Sequence, residues 1–125
     1  VNRSALLCIS SLLFALPASS QSEIQRYKSE AEQIEAKEKR DRDLIEHVAY
    51  AAFLIELCAD DFDFSQKGRF IVENDVSRSK WINRYIELDS QPNKPNKPRA
   101  CYELLTKYGP EGSVARGWVE KKGTP

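Results

Sequence analysis

Three observations predict an all-α protein, a small helical bundle of three to four helices with one disulfide, preceded by a signal peptide and a charged helical arm. Apolar residues recur at helical spacing in three separate stretches, proline and glycine punctuate the intervals, and two cysteines fall on the inward stripes of different stretches.

The first segment reads as an address. Arg3 supplies a positive end, Ala5 to Leu16 form an apolar run broken only by Ser10 and Ser11, and small residues follow Pro17. This is the pattern of a secretory signal peptide, residues 1–20, with cleavage expected after Ser20. Spanning a bilayer takes about 20 apolar residues, so the run predicts no stable membrane anchor. The sequence contains no methionine, even at position 1, and Val1 fits an alternative start codon of a bacterial gene. Leu7 precedes Cys8, where a lipoprotein needs a small residue, so Cys8 is expected to leave with the leader. That turns an odd count of cysteines into the pair Cys58 and Cys101, which an oxidising compartment would join.

The mature chain from Gln21 is long enough for one domain with one modest core. Removing Arg3 with the leader leaves one base fewer than the 19 acids. So even a balance argues against nucleic acid as a partner, because phosphates demand a basic face.

Residues 21–43 form the charged arm, rich in Glu, Lys, Arg and Gln. Glu35 with Lys39 and Glu38 with Arg42 stand at i,i+4 in the favourable order. Ile24, Tyr27, Ala31 and Ile34 trace only a thin seam, which predicts a solvated helix rather than a docking arm. The helical domain is expected over 44–125. Asp43 and Glu46 resemble a capping box, and Leu44, Val48, Ala51, Ile55 and Cys58 recur at four and three. Ala49, Ala52, Phe53, Leu54 and Leu57 widen this face, so it should be the most buried helix, and the pattern allows one continuous rod whose first half, the arm, is solvated.

ADDFDFSQKG, residues 59–68, reads as a connection. Asp61, Asp63 and Ser65 have the first spacings of an EF-hand loop, but Gln66 stands where glycine is needed and Val72 where glutamate is needed, so no metal is expected. Gly68 to Leu88 is helical with a break expected between Asn74 and Ser79. Trp81, Tyr85 and Leu88, flanked by Ile82 and Ile86, give a broad apolar face expected to pack on the central helix. Residues 90–97, with Pro92 and Pro95, form a stiff linker. The last helix has Asn96 or Lys97 near its cap, Pro98 in its first turn, Gly109 past its end and Pro110 as a stop. Cys101, Leu104, Leu105 and Tyr108 then share an inward face. A Cys58–Cys101 bridge closes a loop of about 43 residues, worth about 4 kcal/mol in the chain-entropy model. The remainder is a turn-rich tail anchored by Val114, Trp118 and Val119.

Chemistry-bearing residues are few. His47 is the one histidine, expected at the surface beside Asp43 and Tyr50. No nucleophile elbow, phosphate-cradling loop or Cys-x-x-Cys occurs, so no catalytic residue and no cofactor is expected and the chain reads as a non-enzyme.

The leader, the helix bearing Cys58, the Trp81–Tyr85 helix and the helix opened by Cys101 together resemble small exported bacterial helical proteins with one disulfide. The layout is similar to immunity proteins that block type VI secretion amidase effectors, and to periplasmic acid chaperones. The ending CYELLTKYGPEGSVARG also resembles alphaproteobacterial exported domains of unassigned function. The resemblance implies a periplasmic or secreted protein that binds another protein in the manner of an inhibitor. Asp61, Phe62, Asp63 and Phe64 form the candidate partner-binding patch. A chaperone-like helper is the first alternative, and a hydrolase using a carboxylate pair the second.

Overall fold

The computed structural model describes residues 18–59 and 61–123. The proposed leader residues 1–17, including Cys8, lie outside this range. Six elements follow in order: α1 (Ala18–Cys58), β1 (Phe62–Phe64), α2 (Gln66–Asn74), α3 (Arg78–Asp89), α4 (Lys97–Tyr108) and β2 (Val119–Lys121). The protein is therefore mainly helical, with four helices among the described residues and one disulfide joining Cys58 to Cys101.

The contacts divide the chain into two units, residues 1–39 and 40–125. In the first, the described part is helical and solvent-exposed. Ile24, Tyr27 and Ile34 are all more than half exposed, so the thin apolar seam is not a buried stripe. Arg26 instead covers one face of Tyr27, its guanidinium 4.8 Å from the ring centroid.

The second unit holds the core. Val48, Ala49, Ala51, Leu54 and Cys58 from α1 are completely buried, together with Ala100 and Leu104 from α4 and Val119 from β2. Phe53, Leu88, Tyr108 and Trp118 complete the interior, with Trp81 and Tyr85 packed half-buried against it. The three-four spacing on α1 thus marks its inward face, although Leu44 and Ile55 sit at the margin. Leu105 departs from the expected stripe of α4 and is 41% exposed.

The connection at 59–68 is not simply a loop. Ala59 leaves α1 in the left-handed region (φ 34°), and its N–H donates to the Ile55 carbonyl at 3.0 Å. The chain then forms β1, which pairs antiparallel with β2 in the register Phe62 with Lys121, Asp63 with Glu120 and Phe64 with Val119. The tail is likewise corrected: it carries a strand. Ser65 joins this ribbon to α2. Its Oγ caps the helix by accepting from the Gly68 N–H at 3.1 Å and donates to the Gly117 carbonyl at 2.5 Å. Its own N–H donates to the Trp118 carbonyl at 2.9 Å, so three hydrogen bonds satisfy this buried serine.

The break expected after Asn74 separates α2 from α3, with Ser77 at the N-cap of the latter. Asn96 caps α4 by accepting from the Arg99 N–H at 3.0 Å, with Pro98 in the first turn where a missing donor costs nothing. Beyond α4 the tail turns back: Ser113 donates to the Thr106 carbonyl, Val114 and Ala115 to that of Lys107, and Gly117 to that of Gly109. These bonds satisfy carbonyls that a helix end leaves open. They also bring Trp118 onto Tyr108, the two rings stacked at 5.9 Å and 17°.

Candidate functional site

The second unit carries an apolar groove between α1, β1 and α3. Ala52 and Ile55 form one wall, on the flank of the α1 stripe that the core leaves uncovered. Phe64 closes one end, and Trp81, Ile82 and Tyr85 at i, i+1 and i+4 of α3 form the facing wall. The groove encloses about 460 Å³. Its acidic rim consists of Glu56 and Asp63. Asp63 is engaged, with Oδ2 3.1 Å from the Arg69 guanidinium and Oδ1 accepting from the Phe64 N–H. Glu56 is exposed.

The facing walls are locked together by charge. Arg84 on α3 donates to both oxygens of Glu46 on α1, at 2.6 and 3.0 Å, and to Glu87 at 2.9 Å. These charge-assisted bonds raise the guanidinium's proton affinity, those to Glu46 most strongly. One donor in this wall lacks an acceptor: Trp81 Nε1 is buried and makes no hydrogen bond. An unsatisfied buried N–H typically costs about 1–3 kcal/mol, so such a group invites a ligand acceptor or water.

The four residues proposed from sequence do not form one patch. Asp63 and Phe64 belong to the groove, while Asp61 and Phe62 line a separate depression with Leu105, Pro110, Glu120 and Lys121. Asp61 is exposed and lies 3.6 Å from Lys97 Nζ. Phe62 is buried and Phe64 half-buried, so the segment presents its carboxylates to solvent more fully than its rings. The groove itself was missed in sequence. Its signal was the i, i+1, i+4 cluster Trp81, Ile82 and Tyr85, whose face was expected to pack on the central helix.

His47 is also corrected. It is half-buried rather than at the surface: its Nδ1 shares a 3.0 Å hydrogen bond with the Tyr108 hydroxyl, supplied by α4 from 61 residues away. One turn along α1, the Tyr50 hydroxyl donates to Glu103 Oε2 at 2.5 Å, while Lys107 Nζ lies 5.0 Å over the Tyr50 ring. Burial, followed by the hydrogen bond to Glu103 and that residue's charge, pushes the Tyr50 phenol up to about 12. Burial pushes Tyr108 up as well. Both phenols therefore stay protonated in neutral solution, as donors rather than nucleophiles. Tyr50 and Glu103 form one side of a polar cavity of about 510 Å³, completed by Arg99 and the linker residues Pro92 to Pro95.

A third cluster lies at the end of α1. The Cys58 and Cys101 sulfurs and an Asp61 carboxylate oxygen fall within 4.8 Å of one another, with the sulfurs joined as the disulfide. Asp63 and Ser65, the other members of the EF-hand-like spacing, are committed to Arg69 and to the α2 cap.

No protein-family model, curated protein or solved structure matches the chain.

Proposed function

We propose that this protein is an exported binding module that works in the periplasm or outside the cell, and that its groove takes a segment of another protein. The occupant we infer is a short stretch with an apolar side chain, a backbone carbonyl and an adjacent basic residue. The apolar side chain fits against Ile55, Phe64, Trp81 and Tyr85. The basic residue complements the exposed Glu56 on the rim. The observation that carries the reading is the buried Trp81 Nε1, a donor without an acceptor in the wall of an apolar groove. The disulfide supports the compartment, since such bonds persist where thiols are oxidised.

Selection of a displayed random-peptide library on the oxidised protein tests this. Enrichment of apolar-basic peptides is expected, with binding lost in W81A and weakened at least about tenfold in E56K, since a like charge then meets the basic residue. Peptides that bind W81A and E56K as they bind the parent would refute the groove.

A helper with chaperone character is the second reading, favoured by Phe70, Ile86 and Tyr102, each more than half exposed. It expects an apolar dye to bind more strongly as the pH falls; unchanged binding counts against it.

A further inference from the structure

We propose that Cys58, Asp61 and Cys101 form a redox-gated site for a thiophilic divalent cation of the zinc class, closed while the disulfide is intact and opened by reduction. The Cys58 and Cys101 sulfurs, bonded to each other in the disulfide, and an Asp61 carboxylate oxygen lie within 4.8 Å of one another. On reduction the two sulfurs part, and side-chain rotation sets the three donors around one ion at the usual bond lengths of about 2.0–2.3 Å. The turn at the end of α1 makes this possible: Ala59 adopts the left-handed region and redirects the chain, so that Asp61, three residues after Cys58, returns beside its sulfur.

The electrostatics also favour a cation. α1 ends at Cys58, where open carbonyls carry partial negative charge, and the Cys58 carbonyl oxygen lies 3.7 Å from Cys101 Sγ. Two thiolates and a carboxylate exceed the charge of a divalent ion by one. Lys97 Nζ, 3.6 Å from Asp61 Oδ2, supplies the balancing positive charge. Access is graded from outside inward, with Asp61 exposed, Cys101 half-buried and Cys58 buried. Thiolate donors select zinc-class ions over magnesium or calcium. Three protein donors leave the fourth tetrahedral position to water.

Opening the site requires two electrons. A dithiol reductant transfers two electrons and two protons to the S–S bond, leaving two cysteine thiols and an oxidised reductant disulfide. Binding the dication then expels the two thiol protons. Reoxidation runs the sequence backward and releases the ion.

The test uses the full chain carrying Cys8→Ser, reduced with a phosphine and desalted without oxygen. Cobalt(II) is titrated as a spectroscopic probe, and zinc chloride against a chromophoric chelator. Expected are one ion per chain, a thiolate-to-cobalt charge-transfer band, and no binding by the oxidised protein. D61N should weaken zinc at least about tenfold, and C58S/C101S should abolish it. Should reduction loosen the helices, zinc is expected to restore the far-ultraviolet dichroism of the parent. Absence of a stoichiometric ion in the reduced protein, no such restoration after loosening, equal zinc affinity in D61N, or equal binding by the oxidised form would each overturn the site.

Discussion

Tyr50 shows how one side chain can serve packing and pH response together. Its ring stacks on Phe53 at 6.1 Å while its hydroxyl reaches Glu103 on α4, so an apolar contact within α1 continues into a polar contact between helices. Because burial and Glu103 raise the phenol from 10.0 to about 12, the folded protein holds this proton more tightly than the unfolded chain. The associated stability is whole below about pH 10 and is lost as the pH rises toward 12. Urea midpoints measured from pH 9 to 12 should therefore fall. In Y50F the fall should be shallower but not absent, since Tyr108 shifts in the same direction. A parent midpoint that stays flat across this range would contradict the assignment. Periodicity along α1 cannot disclose such a pair. It placed Tyr50 and His47 on the helix, but their partners Glu103 and Tyr108 come from α4, and only the folded packing brings them near.

Among the elements, those with strong local signals were legible in sequence and those built by long-range pairing were not. α4 announces itself through Asn96, Pro98 and Gly109, each with a local backbone role, and the buried half of α1 through its stripe. The disulfide followed because Cys58 and Cys101 each sat on such a stripe. β1 and β2 have three residues each, too short for alternation to register, and they depend on each other across the sequence. The groove was hidden for a related reason: Trp81 and Tyr85 look alike whether buried fully or by half. Gly68 in α2 records the closeness of the ribbon. A Cβ there would lie 2.1 Å from the Trp118 carbonyl oxygen, which is fixed by its bond from Ser65. G68A should therefore cost about 1–3 kcal/mol despite alanine's better helix propensity, through displacement of the tail. Chemical denaturation checks this; a neutral or stabilising result would mean that β2 yields freely.

At the scale of the whole molecule, the buried residues among those described all belong to 40–125, while the described residues of the other unit are exposed apart from a partly covered Ser20. The charged segment is rich in good helix formers and local i,i+4 pairs, which on their own sustain only marginal helices. Deleting residues 1–39 should leave cooperative unfolding and the urea midpoint of the remainder nearly unchanged, while removing helical signal in proportion to length. A midpoint displaced by more than about 1 kcal/mol in stability would show that the core draws on the segment.

The ribbon also bears on the order of assembly. Phe64 meets Val119 across roughly 55 residues of chain, so the pairing must overcome a large loop-closure entropy before it gains anything. Once Cys58 and Cys101 are joined, the covalent path between the same two residues is less than half as long. Each halving lowers the closure cost by about 0.6 kcal/mol, roughly a threefold gain in rate if closure limits folding. Oxidation thus acts as a timekeeper: the bond made at the end of the first helix hastens the last strand to its place.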